Sequence, residues 1–260
     1  MYICSMDLKE KISVVINTYN AEQHLARVLE SVQGFDEVLV CDMDSTDATL
    51  DIARQYGCRI VKFPKGEHRI VEPAREFAIH EARCEWVLVV DADELVPVAL
   101  RDYLYEQITH VDCPDGIFIP RKNYFMGHFL HSAYPDYILR FFRKEVCHWP
   151  SSIHSSPQVS GTVFHIPRKR KNLAFEHLAN DNVSKIISKN NIYSDYEVVR
   201  RQHKKYGVGA LLGRPLFRFF KSYIIKRGFL DGKPGLIYAM LNATYQFNIV
   251  AKLMEDRPKR

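Results

Sequence analysis

The chain has 260 residues, 47% of them hydrophobic and 12% aromatic, with 36 Lys and Arg against 31 Asp and Glu for a formal net charge of +5. That is ample length to bury a core in one large domain, or in one domain with an appendage. Six scattered cysteines (Cys4, Cys41, Cys58, Cys84, Cys113, Cys147) form no Cys-x-x-Cys pair and several sit in apolar runs, which excludes a disulfide framework or zinc cluster and predicts reduced core residues.

Ile12 to Ile16 reads as a short buried strand that ends at Asn17-Thr18-Tyr19-Asn20. Leu25, Val28, Leu29 and Val32 then recur at helical spacing, and Gly34 ends that helix. Glu37 to Cys41 is a second strand, running into Asp42-Met-Asp44-Ser45-Thr46-Asp47. Ser45 or Thr46 caps a helix to about Tyr56, which Gly57 stops. Arg59 to Phe63 is a third strand, and a helix near Pro73 to Arg83 follows a loop rich in Lys, Gly, His and Pro. Strands alternating with helices of this length imply βαβ units, right-handed crossovers and a parallel sheet.

Trp86 to Val90 is the strongest strand signal, an apolar run buried on both faces that stops in Asp91-Ala92-Asp93-Glu94. Ligands of open α/β sheets sit outside the carboxyl ends of the strands. Asp-x-Asp there offers hard oxygens suited to Mg2+ or Mn2+ with a phosphate; the plain alternative is a solvated acidic turn. No Gly-x-Gly-x-x-Gly and no Gly-x-x-x-x-Gly-Lys-Ser/Thr occurs, against a dinucleotide dehydrogenase and against a P-loop NTPase. Three strands ending in polar clusters on one sheet edge describe a single-nucleotide site, with a base and ribose on the first half and a metal-bound pyrophosphate at the third.

Taken together, Ile12-Ser-Val-Val-Ile-Asn-Thr-Tyr-Asn-Ala-Glu22, Cys41-Asp-Met-Asp-Ser-Thr-Asp-Ala-Thr49 and Val90-Asp-Ala-Asp-Glu94 resemble family 2 glycosyltransferases of GT-A fold. The nearest subgroup is that of lipopolysaccharide core glycosyltransferases related to a β-1,4-glucosyltransferase. Arg75, Tyr134-Pro-Asp-Tyr-Ile-Leu-Arg-Phe-Phe-Arg143, Ile153-His154 and Gly228-Phe-Leu-Asp-Gly-Lys-Pro-Gly235 carry that closer likeness. The resemblance implies a Rossmann-like α/β sheet over residues 1–180 and a helical C-terminal region over 181–260.

It also implies that Thr18, Tyr19, Asn20 and Glu22 line a base pocket, that Asp42 bonds a uracil imide, and that Arg75 contacts ribose or phosphate. Asp93 would hold the metal, with Asp91 on ribose or metal-bound water, His154 as a further ligand and Glu94 bracing the loop. Asp136, four residues before Arg140, is the candidate catalytic base of an inverting transfer from a UDP-sugar. His177 falls where the subgroup places a histidine, whereas Ser155 stands where it has an acidic residue. That departure favours the rival reading, a catalytically inactive nucleotide-binding scaffold. A peptide glycosyltransferase differs only in its acceptor.

Between Arg200 and Arg227 lie nine Lys and Arg and no Asp or Glu, and from Leu211 onward they are mixed with Leu, Phe, Tyr and Ile. This pattern describes a helix lying in a membrane interface, not a nucleic-acid surface, which would be less apolar; a dimer interface is a third reading. Val183 to Arg201 is helical by pattern. Leu236 to Met254 is mostly apolar, but Asn242, Gln246 and Lys252 interrupt it. The charged stretch Asp7 to Lys11 argues against a secretory signal, and no apolar run reaches the ~18 residues of a spanning helix. The expectation is a cytoplasmic enzyme, peripheral on the inner face of the cytoplasmic membrane and acting on a glycolipid or surface-polysaccharide acceptor.

Overall fold

The computed structural model describes residues 12–66, 71–150, 156–178 and 183–255. The chain forms two compact units, Met1–Arg121 with Pro135–Leu178, and Lys122–Tyr134 with Ala179–Arg260.

The first unit opens with β1 (Ile12–Thr18), α1 (Glu22–Ser31), β2 (Glu37–Asp42), α2 (Thr49–Gln55), β3 (Arg59–Lys62), α3 (Glu72–Glu81) and β4 (Trp86–Asp91). β1 lies between β2 and β4, β3 flanks β2, and all are parallel. Alternate residues of these strands face opposite sides. Val14, Ile16, Leu88 and Val90 pack under Leu25, Val28 and Leu29 of α1. Val15, Leu39, Cys41, Val87 and Val89 pack under Ala74, Ala78 and Ile79 of α3. Apolar residues are needed on both faces, which is why these strands read as unbroken hydrophobic runs.

β5 (Glu94–Leu95) and α4 (Val98–Ile108) follow, then β6 (Gly116–Phe125), β7 (His128–Phe129) and β8 (Asp136–Arg143). The short strands β9 (Cys147–His148), β10 (Gln158–Val159), β11 (Val163–His165) and β12 (Phe175–His177) complete the β-structure. The sheet order is β3-β2-β1-β4-β8-β6-β12-β5. The expected parallel arrangement thus runs from β3 to β4. Past β4 the path turns antiparallel, through β8 against β4 and β6 against β8, while β11 pairs with β6 in parallel. Sequence patterning gives no strand here because Arg140 and Arg143 interrupt the apolar run of β8. Arg140 is nonetheless buried, since its charge is matched by a carboxylate of β4.

The second unit contains the end of β6, β7 and three helices, α5 (Val183–Arg201), α6 (Gly209–Phe220) and α7 (Gly232–Met254). A π-helical turn, Lys221–Ile225, extends α6, and a 3-10 turn, Gly228–Asp231, precedes α7. Asp231 explains the Gly228–Gly235 motif. Its carboxylate accepts from the backbone N–H of His131 at 2.9 Å and of Ser132 at 3.2 Å, and also contacts His131 Nδ1 at 2.6 Å. Gly228 and Gly235 permit the backbone to close on itself. A Cβ at Gly235 would lie 2.0 Å from the Gly228 carbonyl oxygen, and one at Gly228 would lie 2.8 Å from that of Ser222. Among the described residues, no helix is long and apolar enough to cross a membrane.

Candidate active site

The strand register brings the motifs to one edge, because Thr18 pairs with Asp42 and Asn17 with Asp91 at the carboxyl ends of β1, β2 and β4. Asp42 is fully buried. Thr18 Oγ1 donates to Asp42 Oδ1 at 2.9 Å, and the Ser45 N–H donates to Oδ2 at 3.0 Å. The carboxylate is therefore rigidly aimed, with lone pairs left over from those two bonds.

The loops after β1 and β2 are laced together. Asn20, at φ 48°, accepts the Thr46 N–H at 2.8 Å, and its own N–H donates to Ser45 Oγ at 3.0 Å. Glu22 Oε2 accepts the Ala48 N–H at 3.0 Å. Asn20 and Glu22 thus shape the pocket edge by bridging its two loops. Tyr19 is exposed, and Lys65 Nζ lies 3.3 Å from its ring centroid.

Charge concentrates at the end of β4. Asp91 Oδ1 meets Arg75 Nη2 at 2.5 Å, and Oδ2 meets Arg140 Nη2 at 2.7 Å. Burial works against ionising Asp91, but Arg140, Arg75 and Arg121 outweigh it and hold its carboxyl far below the usual range. Burial dominates at Arg140, and with the nearby Arg75 charge it pulls that guanidinium down despite Asp91. Arg75 and Arg140 both lie over the Trp149 indole, at 4.9 and 5.3 Å from its centroid. Their Nε atoms are buried and have no hydrogen-bond partner among the described residues.

Glu94 is completely buried. Its Oε2 accepts the Asp91 N–H at 3.0 Å and its Oε1 accepts from Arg121 Nη1 at 2.9 Å. Arg121 also donates twice to Asp136 Oδ2, from Nε at 3.0 Å and Nη2 at 2.6 Å. Its two carboxylate partners hold its pKa above the ordinary arginine value, although burial opposes the charge.

Asp93 differs from its neighbours. Of Asp91, Asp93, Glu94 and Asp136, it alone has no arginine partner among the described residues. Its side chain is 31% exposed, and Oδ1 lies 3.6 Å from His177 Nε2 on β12. His154 lies outside the described residues, as do Ile153 and Ser155.

Among the described residues, those expected from sequence thus gather at one edge, where Arg121 contacts Glu94 and Asp136 and Trp149 lies under Arg75, neither belonging to a motif. Their only signal is spatial, since Arg121 lies 27 residues from Glu94 and 15 from Asp136.

A mixed sheet with one edge acidic at its centre and flanked by guanidiniums admits a definite comparison. The family model "Glycosyl transferase family 2" matches residues 13–152. The chain belongs to glycosyl transferase family 2.

The enzyme is 27% identical over 268 residues to an uncharacterized glycosyltransferase of Rickettsia felis, a match covering 95% of this chain and 90% of that one. It is 26% identical over 258 residues to LpsC of Rhizobium meliloti, a lipopolysaccharide core biosynthesis glycosyltransferase, with 95% and 93% covered. Among solved structures it is similar to the mannosyltransferase PcManGT of Pyrobaculum calidifontis, determined in complex with GDP-Man and Mn2+. The TM-score there is 0.57 at 14% identity, covering 95% of this chain and 88% of that one. The fold of this glycosyltransferase is GT-A.

Proposed function

We propose that the enzyme transfers a sugar, with inversion, from a UDP-sugar to a glycolipid or surface-polysaccharide acceptor, using Mg2+ or Mn2+. The observation that carries the reading is Asp93, a partly exposed carboxylate at the end of β4 with no arginine on it and His177 beside it. A carboxylate with an imidazole suits such cations, which complete their shell with phosphate oxygens. The lipopolysaccharide role named for LpsC and the GDP-Man and Mn2+ bound by PcManGT support the acceptor class and the metal.

In this reading Asp93 and His177 hold the cation, which when bound supplies neutralisation of the departing nucleoside diphosphate. Asp91 keeps Arg75 and Arg140 beside the phosphates. Asp42 accepts from the uracil imide, a charge-assisted bond to a carboxylate already aimed by Thr18 and Ser45. Tyr19 and the bridged residues Asn20 and Glu22 border the base. Asp136 takes the proton from the attacking acceptor hydroxyl, and Arg121 fixes its orientation through Oδ2.

The test is calorimetric titration of UDP and of GDP, each with and without Mn2+, into the wild type and into Asp93→Ala. The expected result is Mn2+-dependent binding of UDP, weakened at least tenfold in Asp93→Ala, a loss on the order of that for metal-site residues. Preference for GDP would overturn the uridine assignment. No binding of either nucleotide would overturn the donor site altogether.

A further inference from the structure

The second unit holds a basic cavity whose residues are not part of the proposed donor site. Arg201 of α5, Arg214 and Arg218 of α6, Lys221 of the π-helical turn and Gln246 of α7 line a cavity of about 410 Å³. Arg201 is ion-paired with Glu197 at 2.5 Å. Arg214, Arg218 and Lys221 have no carboxylate partner among the described residues. Arg214 donates to the Gln246 amide oxygen at 3.3 Å. Arg214 also lies 5.1 Å from the Tyr206 ring centroid, and the Nε atoms of Arg214 and Arg218 are buried with no hydrogen-bond partner among the described residues. Their positions, four and then three residues apart, put these cations on one face of the helix. Guanidiniums presented in this way match phosphate oxygens, which they can bind in pairs.

A different face of α6 is apolar and open. Leu212, Leu216 and Phe220 follow at four-residue intervals and are 70%, 67% and 51% exposed, whereas Phe217, between the two faces, also lines the basic cavity. A second cavity of about 380 Å³, lined by Leu216, Phe219, Met240 and Phe247 among others, is almost wholly hydrocarbon. An apolar ridge beside a basic cavity has the composition of a surface that meets a bilayer, chains on one side and head groups on the other. A second copy of this chain is a poor occupant, because a self-complementary contact would set the cations of residues 200–227 against each other with no Asp or Glu in that stretch.

We propose that Arg201, Arg214, Arg218 and Lys221 form a binding pocket for the phosphate of an anionic lipid head group, with the Leu212–Leu216–Phe220 ridge in the adjoining hydrocarbon. The pocket deepens the glycolipid-acceptor reading by placing the enzyme on the acceptor's membrane, and it is independent of the donor site.

The test is co-sedimentation of the full chain with vesicles of phosphatidylcholine alone and of phosphatidylcholine with phosphatidylglycerol. It compares the wild type, Arg214→Gln/Arg218→Gln, Arg214→Lys/Arg218→Lys and Lys204→Gln/Lys205→Gln, the last pair exposed and outside the cavity. Binding is expected only to the phosphatidylglycerol vesicles. A cation near an anionic leaflet is worth about fivefold, so the Gln pair should lose roughly thirtyfold. The Lys pair should retain most of the binding, and the outer lysine pair should lose far less than the Gln pair. Calorimetry with inorganic phosphate separates the sources, and tight phosphate binding without vesicle binding would overturn the lipid assignment. Equal losses in the pocket and outer pairs would overturn the pocket, as would concentration-dependent dimerisation with no vesicle binding. UDP and Mn2+ titrated into the Gln variant report the donor site separately, and a far-ultraviolet circular dichroism spectrum matching wild type shows that the helices of the second unit are folded.

Discussion

Glu94→Gln perturbs the residue that ties the loop after β4 to Arg121 of β6. Glu94 is completely buried and receives two donors, the Asp91 N–H on Oε2 and Arg121 Nη1 on Oε1. A carboxamide has one acceptor oxygen and one donor nitrogen, so only one of those donors can keep its partner. The oxygen should stay on Arg121, which sets the new NH2 against the Asp91 N–H. A buried donor left unmet costs about 1–3 kcal/mol. Losing the ionic character of the Arg121 bond adds about 1 kcal/mol. Arg121 retains Asp136, so the total stays below the 3–5 kcal/mol typical of stranding a buried charge. The expected cost is about 3 kcal/mol. Both tryptophans, Trp86 and Trp149, belong to the first unit, so fluorescence-detected urea unfolding reports on the unit that contains Glu94. A loss under about 1 kcal/mol, with Mn2+-dependent nucleotide binding intact, would refute the bracing role argued from these two bonds.

Three further outcomes follow from single contacts. Gly235→Ala puts a Cβ 2.0 Å from the Gly228 carbonyl oxygen, a backbone atom with little room to move. It should destabilise the chain by about 3 kcal/mol, the upper end for overpacking, and a melting curve by circular dichroism matching wild type would contradict that. Asp136→Asn should cut the transfer rate by about 10²–10⁴-fold while calorimetric nucleotide binding is kept, and undiminished turnover would dispose of Asp136 as the base. Asp91 is depressed in the folded state by Arg140, Arg75 and Arg121 against the effect of burial. Its contribution to stability is therefore complete above the unfolded carboxylate value of about 4 and is lost progressively as pH falls below it. The stability gap between wild type and Asp91→Asn, from urea unfolding at several pH values, should be constant from pH 7 to 5 and narrow below pH 4. A gap that widens on acidification would reverse the sign of the argument.

Much of the donor edge is legible in the chain because its signals are local. Trp86–Val90 is buried on both faces and so reads as an apolar run, and the carboxylates begin where that burial ends. In Ile12–Ile16 and Glu37–Cys41 the apolar run likewise precedes the polar residues Thr18 and Asp42, although both of these stay buried. Parallel strands deliver their carboxyl ends to one edge, so the co-location of Thr18, Asp42 and Asp91 follows from topology before any contact is known. The sequence pattern of Val183–Arg201 is likewise helical and matches α5, whereas the Leu211–Arg227 stretch is divided between α6 and the turns that follow it.

What tertiary structure alone decided is which charge meets which. Asp91 and Asp93 are two residues apart and chemically identical, yet one is taken up by Arg75 and Arg140 while the other stands beside His177. That difference depends on β8 lying antiparallel against β4 and on β12 pairing with β5, contacts that span scores of residues. Arg121 and Trp149 have no local signature at all. An isolated arginine has the same pattern in sequence whether it is solvated or buried, and only the fold supplies its partner.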